Sequence, residues 1–202
     1  MYTARSDDVR LVEKLNGRCH FNRAEIKMLI DIYREVCGHS VMDKATFIDF
    51  LQNTFDMTDD PVIERIFRIF NKSNNGKISV EEWIQGLSVF LCGTMEEKMN
   101  FCFRVYDLGG NGCISREDLY SLLKHRIQKT GDEDPEDVTK DFIDMIIDKM
   151  DYDRDDHLSF SDYKKSVQQE PLLLQAFGPC LPEDKVRITF LALFKKTTPK
   201  WR

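Results

Sequence analysis

The stretch DYDRDDHLSFSD, residues 151–162, decides the fold of this chain of 202 residues. Aspartates occupy its first, third, fifth and twelfth positions, and the seventh position offers the backbone carbonyl of a histidine. Oxygen atoms at this spacing are the ligands with which a short loop encloses a calcium ion. The stretch therefore predicts a metal-binding loop, whose ligands would be Asp151, Asp153, Asp155, His157 through its carbonyl, and Asp162.

Two other stretches align with this loop without gaps: NKSNNGKISVEE at residues 71–82 and DLGGNGCISRED at residues 107–118. The three loops share an apolar eighth residue, Ile78, Ile114 or Leu158, of the kind that joins paired loops through a short strand. Apolar residues recur with helical period on both sides of every loop. A repeated helix-loop-helix unit is the signature of the EF-hand superfamily, so we expect an all-α fold.

The spacing of the loops places a degenerate first unit before them, with a loop at residues 35–46 in which Met42 takes the position of Ile78. At the third, fifth and twelfth positions, where oxygen ligands are needed, this loop has Cys37, His39 and Thr46. Calcium sites need charged or carbonyl oxygens at these positions. We therefore expect this first loop to bind no metal.

Four units predict two lobes. The N-terminal lobe would span residues 1–92, with the degenerate EF-hand near 24–55 and an EF-hand at 59–92. The C-terminal lobe would span residues 93–170, with EF-hands at 94–128 and 138–170. A C-terminal helical extension would occupy residues 171–202. A short N-terminal helix is expected from Ser6 to about Asn16, since a serine hydroxyl can cap a helix start. Two helices are expected in the extension, at Pro171–Phe177 and Pro182–Phe194.

The loop at 151–162 is the strongest candidate, but two of its residues depart from the usual calcium-loop pattern. Asp156 stands where glycine usually makes the turn, and a positive φ costs a non-glycine residue on the order of 1 kcal/mol. Asp162 replaces the usual glutamate, and its shorter side chain tends to offer one oxygen instead of two. The resulting smaller ligand set also suits Mg²⁺. We therefore expect Ca²⁺ to bind here with Mg²⁺ as a competitor.

The other two loops are weaker candidates. In the loop at 107–118 the ligands would be Asp107, Asn111, Cys113 through its carbonyl, and Asp118, while Gly109 leaves the third position without a side-chain oxygen. In the loop at 71–82 they would be Asn71, Ser73, Asn75, Lys77 through its carbonyl, and Glu82. Glu82 is the one carboxylate in that set, and affinity rises with ligand charge. For the loop at 71–82, an empty structural loop is therefore favoured over a filled one.

Composition narrows the function classes. The formal net charge of −6 disfavours binding to phosphate backbones, so no nucleic-acid partner is expected. No stretch approaches the roughly 20 apolar residues that cross a bilayer, so no membrane partner is expected. Six cysteines are scattered without a C-x-x-C pair, a pattern typical of reduced thiols inside cells. The sequence has no glycine-rich phosphate loop and no nucleophile paired with a base, so no enzymatic activity is expected.

Four strings, mostly outside the metal ligands, carry a more specific resemblance: MTDD at 57–60, EWIQGLS at 82–88, EEKM at 96–99 and LLLQAFGPCLP at 172–182. Together with the four units, they resemble the calaxin family, which comprises axonemal calcium sensors related to the neuronal calcium sensors. The resemblance covers nearly the whole chain. It implies binding to the outer-arm dynein heavy chain and to docking-complex proteins on doublet microtubules. It also implies a place in the cytoplasm and cytoskeleton, in the axoneme of a cilium or flagellum.

Two functions remain open at this point. A calcium-responsive regulator would change its helix packing when the loop at 151–162 binds an ion, and would thereby modulate dynein attachment or motility. A constitutive structural adaptor of the axoneme would stay docked at any calcium level. The poor ligand sets of the other loops favour the adaptor, whereas the four carboxylates of the loop at 151–162 favour the regulator.

Overall fold

The computed structural model describes residues 6–38, 40–124 and 134–196. Within these ranges the helices are α1 (Ser6–Leu15), α2 (Arg23–Cys37), α3 (Lys44–Phe55), α4 (Asp60–Phe70), α5 (Val80–Cys92), α6 (Met95–Tyr106), α7 (Arg116–Leu123), α8 (Pro135–Met150), α9 (Phe160–Gln169) and α10 (Asp184–Lys196). A 3₁₀ helix occupies Pro171–Gln175, and the strands are β1 (Met42–Asp43), β2 (Lys77–Ile78), β3 (Cys113–Ile114) and β4 (Leu158–Ser159). The prediction of an all-α EF-hand fold is confirmed. None of the described helices is both long and apolar enough to cross a membrane.

The helices that follow the loops begin with one repeated capping arrangement. Ser79, Ser115 and Ser159, each at the ninth loop position, are the N-caps of α5, α7 and α9. The hydroxyl of each serine accepts a bond from the backbone N–H three residues later, and the acidic side chain of that later residue accepts from the N–H of the serine. The twelfth loop residue therefore forms part of a helix cap.

Short antiparallel strands join the loops in pairs. β1 pairs with β2, with Met42 opposite Ile78, and β3 pairs with β4, with Ile114 opposite Leu158. The Tyr33 hydroxyl bridges the first pair, because it donates to the carbonyl of Ile78 at 2.6 Å and accepts from the N–H of Met42 at 3.0 Å. The eighth loop residues therefore pair as predicted, and the degenerate first unit takes part in this pairing.

The chain divides into two compact units. The first comprises residues 1–58, 66–94 and 181–202, and the second comprises residues 59–65 and 95–180. The stretch that the sequence groups as one C-terminal extension is thus divided at residue 180. Its first part, residues 171–180, folds with the second unit, and we call this part the strap.

An aromatic core holds the first unit together. The ring centroids of Phe50 and Trp83 lie 5.3 Å apart. Phe50 also contacts the ring of Phe190 at 6.5 Å, and Phe194 meets the ring of Phe21 edge-on at 5.9 Å. Phe190 and Phe194 lie one helical turn apart on α10, so they form the buried stripe of that helix. Burial of each such side chain contributes roughly 1.5–3 kcal/mol.

A smaller aromatic cluster holds the second unit together. Tyr106 of α6, Tyr163 of α9 and Phe177 of the strap are fully buried. The ring centroids of Tyr106 and Phe177 lie 5.0 Å apart. The hydroxyl of Tyr163 donates to the carbonyl of Leu174 at 2.5 Å. These contacts fix the strap against α6 and α9.

The terminal helices differ in detail from those expected. The helix expected at Pro171–Phe177 is a 3₁₀ helix that ends at Gln175. So short a segment favours the tighter helix, and Tyr163 satisfies one of its carbonyl groups. α10 begins at Asp184 and ends at Lys196, slightly later at both ends than expected. Fraying of helix ends accounts for a difference of this size.

Candidate metal centre

Four loops carry the candidate ligands, and we number them in chain order: loop 1 at 35–46, loop 2 at 71–82, loop 3 at 107–118 and loop 4 at 151–162. Loops 1 and 2 belong to the first unit, and loops 3 and 4 belong to the second. Cys37 of loop 1 is buried, and His39 lies outside the described residues. Each unit therefore contains one pair of loops.

Loop 4 brings three carboxylates together between the end of α8 and the start of α9. One carboxylate oxygen from each of Asp151, Asp153 and Asp155 lies within 4.8 Å of the other two. Asp151 is partly buried, whereas Asp153 and Asp155 are exposed. Negative charges at this separation repel one another, so the cluster favours a nearby cation.

Asp151 organises loop 4 through the backbone. Its Oδ1 accepts a hydrogen bond from the N–H of Arg154 at 2.8 Å, and its Oδ2 accepts one from the N–H of Asp156 at 2.9 Å. Desolvation raises the pKa of Asp151, but these backbone hydrogen bonds outweigh it, and the pKa is lowered overall. Asp151 is therefore ionised at neutral pH and is held in place by the loop.

The pKa of Asp153 is shifted in the opposite direction from that of Asp151. Desolvation raises its pKa, and repulsion from Asp155 and a hydrogen bond with Asp151 raise it further. The surroundings thus oppose the negative charge of Asp153, and a bound cation would offset this. The side-chain donors of the cluster are hard carboxylate oxygens, which suit Ca²⁺ and Mg²⁺. The residues present therefore fit the ion that the sequence predicts.

His157 uses its ring inside the loop. Its Nδ1 lies 2.9 Å from the carbonyl oxygen of Asp155, and its backbone N–H donates to Oδ1 of Asp155 at 2.9 Å. The contact with this carbonyl raises the pKa of the imidazole. Since the ring already has a backbone partner, the predicted ligand role remains with the carbonyl of His157.

The two unusual residues of loop 4 each have a defined partner. Asp156 has a φ of 63°, the left-handed conformation that glycine usually supplies, and its Oδ1 lies 3.1 Å from the guanidinium of Arg116. Asp162 is 6% exposed, and its Oδ2 accepts from the hydroxyl of Ser159 at 2.5 Å and from the Ser159 N–H at 3.2 Å. Asp162 therefore serves the cap of α9 in this structure.

Loop 3 is built around Asp107, which is buried. Its two carboxylate oxygens accept from the N–H groups of Gly110 at 2.7 Å and Gly112 at 2.9 Å. The side-chain oxygen of Asn111 accepts from the N–H of Cys113 at 3.2 Å. The other predicted ligand, Asp118, accepts from the N–H of the cap residue Ser115 at 3.0 Å. With fewer carboxylates than loop 4, loop 3 offers a weaker attraction for a cation.

Loop 2 is closed by its own hydrogen bonds. Glu82 accepts from the N–H of Ser73 at 2.8 Å through one oxygen, and from the N–H of Ser79 at 2.9 Å through the other. Desolvation raises the pKa of Glu82, but the hydrogen bonds from Ser79 and Ser73 outweigh it, and the pKa is lowered. Oδ1 of Asn71 accepts from the N–H of Asn75 at 3.3 Å, and Oδ1 of Asn75 accepts from Lys77 at 2.9 Å. The side-chain oxygens of Asn71, Asn75 and Glu82 thus accept hydrogen bonds from backbone N–H groups of loop 2 itself.

Known proteins share both the loops and the wider sequence. The family model described as an EF-hand domain pair matches residues 96–168, which contain loops 3 and 4. Calaxin of Xenopus laevis is 47% identical over 179 residues, which cover 85% of this chain and 86% of the relative. Calaxin of Homo sapiens is 43% identical over 192 residues, which cover 91% of each chain. The chain belongs to the calaxin family.

A further relative outside the calaxins shares only part of the chain. Guanylyl cyclase-activating protein 1 of Lithobates pipiens is 35% identical over 115 residues, which cover 56% of this chain and 55% of the relative. The resemblance to calaxins that the sequence predicts is confirmed by the longer matches. Calaxin-family membership and the EF-hand pair together identify a calcium-binding regulatory protein.

In this member of the calaxin family, two arginines that are not metal ligands support the loops. Arg116 donates to the carboxylates of Asp144 and Asp156, and so connects the start of α7 with α8 and loop 4. Arg65 donates to the carbonyls of Asp107 and Leu108 where loop 3 begins. A basic residue near the paired strands is a usable signal for Arg116. Arg65 lies far from loop 3 in the sequence, and no local motif marks it.

Proposed function

We propose that this chain is a calcium-responsive regulator of the ciliary or flagellar axoneme, with loop 4 as its principal sensing site. The observation that carries the proposal is the cluster of Asp151, Asp153 and Asp155, whose oxygens lie within 4.8 Å of one another. The ion would be held by these three side chains, by the carbonyl of His157 and by Asp162. Loops 2 and 3 would contribute less to sensing, because their ligand sets contain fewer carboxylates.

The switch in this proposal begins at Asp162. Asp151, Asp153 and Asp155 would hold the ion, whose positive charge would offset the repulsion among their carboxylates. Asp162 is both the twelfth loop residue and a capping residue of α9, so a turn of its carboxylate toward the loop changes its bonds to Ser159. The next residue, Tyr163, donates to the carbonyl of Leu174 in the strap. Two adjacent residues thus connect loop 4 to the strap.

We expect Mg²⁺ to compete with Ca²⁺ for loop 4. The short Asp162 side chain favours a ligand set with fewer oxygens, which Mg²⁺ tolerates better than Ca²⁺ does. In magnesium-containing cytoplasm, the response would then require calcium to displace magnesium. The sensor would respond to a rise in calcium and not to its resting concentration.

A calcium titration in millimolar magnesium tests the site. Calorimetry of the wild type should record a binding heat that disappears in Asp151→Ala, because this change removes a charged ligand and the acceptor that orders the loop. The matched control is Asn71→Ala at the same position of loop 2, which should retain the heat. A wild-type titration without heat, or a heat that survives in Asp151→Ala, would reject loop 4 as the sensing site.

The proposed partners are the outer-arm dynein heavy chain and docking-complex proteins on doublet microtubules. Support for them comes from the similarity to calaxins and from the sequence strings that carry it. In this proposal, calcium modulates the attachment or the motility of dynein. A pull-down from ciliated cells, with and without calcium, tests the partners. Dynein and docking-complex peptides should be enriched over a bait-free control, and their absence in both conditions would reject this part of the proposal.

A constitutive structural adaptor is the second candidate, and loop 2 favours it. Glu82 already bonds the backbone of the third and ninth residues, Ser73 and Ser79, so protein contacts hold loop 2 in shape. An adaptor built on such loops would remain on the axoneme when calcium is removed. Treatment of isolated axonemes with a chelator separates the two functions. Retention of the chain and unchanged motility would favour the adaptor, whereas release or altered motility would favour the regulator.

A further inference from the structure

Two thiols of the second unit face each other in its core. Cys102 lies on α6, and Cys180 is the last residue of the strap. Both are 0% exposed, and their sulfur atoms lie 3.0 Å apart. We propose that Cys102 and Cys180 are a reversible redox site, at which oxidation by a hydroperoxide forms a disulfide that ties the strap to α6.

The surroundings hold the two sulfurs in place. The hydroxyl of Tyr106 lies 3.3 Å from the sulfur of Cys180 and donates to the carbonyl of Gly178 at 2.6 Å. The N–H of Cys180 donates to the side-chain oxygen of Gln175 at 2.9 Å. Gly178 has a φ of 135°, which only glycine adopts readily, and this turn directs Cys180 back toward α6. The close approach is therefore built into the strap and its helix.

Little movement is needed to form the bond. A disulfide has a sulfur separation of about 2.05 Å, so the two sulfurs must approach by about 1 Å. The two residues are 78 positions apart in the chain, and a bond between them would close a long loop. Closing a long loop restricts the unfolded chain, so the bond should stabilise the second unit.

One hydroperoxide molecule is enough to oxidise the two thiols to one disulfide. One thiol loses its proton and attacks a peroxide oxygen, so that the oxygen–oxygen bond breaks and a sulfenic acid forms with loss of an alcohol or water. The second sulfur then attacks the sulfenic sulfur, a sulfur–sulfur bond forms, and the sulfur–oxygen bond breaks with release of water. The sulfurs together give two electrons to the peroxide. Excess thiol reverses the bond by exchange.

Burial sets when this reaction happens. Desolvation raises the pKa of Cys102, and the neighbouring Cys180 sulfur raises it further, so the reactive thiolate is rare while the strap is seated. Phe177 of the strap packs on Tyr106 and covers the aromatic cluster beside the thiols. Oxidation should therefore be slow in the seated state, and once formed the bond would keep the strap seated. After oxidation, the strap would stay covalently joined to α6 until the disulfide is reduced.

Peptide mapping of the full chain tests the bond directly. The reduced protein is treated with hydrogen peroxide, unfolded in the presence of iodoacetamide and digested with trypsin. Cys102 and Cys180 fall in the tryptic peptides 99–104 and 166–185, each with a single cysteine. These two peptides should appear joined, lighter by two hydrogen atoms, and should separate on reduction with dithiothreitol. Peptides that are alkylated, over-oxidised or joined to other cysteines instead would overturn the proposal.

Thermal unfolding tests the consequence. Oxidation should raise the unfolding midpoint of the wild type, and dithiothreitol should restore the lower value. The control Cys19→Ser, which removes a partly buried thiol of the first unit, should show the same rise. Cys180→Ser should show none. Joined peptides without a rise in the midpoint, or a rise that persists in Cys180→Ser, would overturn the claim that this bond holds the strap.

Discussion

Loops 2 and 4 have nearly the same frame but different charges. Each has a serine at the ninth position that caps the following helix and an acidic residue at the twelfth that completes the capping box. Each turns through a residue with positive φ at the sixth position, with φ of 77° at Gly76 and 63° at Asp156. Loop 2 nevertheless has one ligand carboxylate, Glu82, whereas loop 4 has four.

The difference shows how one frame can serve two purposes. In loop 2, Glu82 reaches back to the N–H of Ser73, and the loop closes with protein donors. In loop 4, Asp162 is shorter and bonds to Ser159, and the carboxylates at the start of the loop face one another. Loop 2 thus satisfies its polar groups internally, whereas loop 4 leaves negative charge that a cation would neutralise.

The largest expected effect comes from giving loop 2 the charges of loop 4. The double variant Asn71→Asp with Asn75→Asp adds two ligand carboxylates and should raise the calcium affinity of loop 2 by about 100-fold, at roughly 1.4 kcal/mol for each ligand. Calorimetry in an Asp151→Ala background would remove the contribution of loop 4. Asn74→Asp is the matched control for the single change Asn75→Asp, because each adds one charge and only Asn75 is at a ligand position. Equal gains in the control would show that net charge, and not ligand position, sets the affinity.

The second effect concerns the helices on either side of loop 2. A Cβ atom added at Gly86 of α5 would lie 2.4 Å from the ring of Phe70, the last residue of α4. Gly86→Ala should therefore lower the free energy of unfolding by about 1–3 kcal/mol, because the ring or the helices must shift. Chemical denaturation measures the loss. Gln85→Ala, one residue away, should change stability by less than about 0.5 kcal/mol.

A smaller ring at position 70 makes the steric cause testable. If the clash with Phe70 causes the loss, Phe70→Leu should make the second change, Gly86→Ala, less costly than it is in the wild type. Additive losses in the double variant would contradict the steric explanation. This close fit of α4 to α5 would hold loop 2 in one arrangement.

Exchanging the residues at the twelfth position of loops 2 and 4 should have an intermediate effect on ion preference and stability. Asp162→Glu adds the methylene group that allows Glu82 to cross its loop, and should improve the preference of loop 4 for Ca²⁺ over Mg²⁺ by about tenfold. Competition titrations measure this ratio. The reciprocal control Glu82→Asp should leave calcium binding unchanged and cost about 1 kcal/mol of stability, since it loses the bond to Ser73. An unchanged ratio in Asp162→Glu would exclude side-chain length as the cause of magnesium competition.

The loops were predictable from the sequence because their chemistry is local. Ligand spacing, the apolar eighth residue and the capping serine all lie within one short segment, so the fold and the pairing of Ile114 with Leu158 follow from the pattern. The capping role of Asp162 also has a local signal, a serine three residues before an acidic residue. That signal shows that the twelfth residue has two possible partners, the cap and the ion.

The C-terminal segments were not predictable in the same way. The apolar residues of α10 do not show which of them are buried: Ile188 is 59% exposed, whereas Phe190 and Phe194 pack against the rings of Phe50 and Phe21. The adjacent thiols of Cys102 and Cys180 likewise depend on how the strap folds back on α6. Such contacts join residues far apart in the chain, and a single sequence carries no local signal for them.

The smallest expected effect concerns the repulsion among the carboxylates of loop 4, which should destabilise the protein when no cation is bound. In a chelator, Asp153→Asn should slightly raise the unfolding midpoint, because it removes one of three charges that lie within 4.8 Å of each other. In saturating calcium the same variant should unfold at a lower temperature than the wild type, because a ligand charge is lost. The control Asp156→Asn should not stabilise the chelated protein, since the Asp156 carboxylate pairs with Arg116 at 3.1 Å. A variant whose effect keeps the same sign in chelator and calcium would show that Asp153 is not part of the ion site, and that loop 4 resembles loop 2 more than its charges indicate.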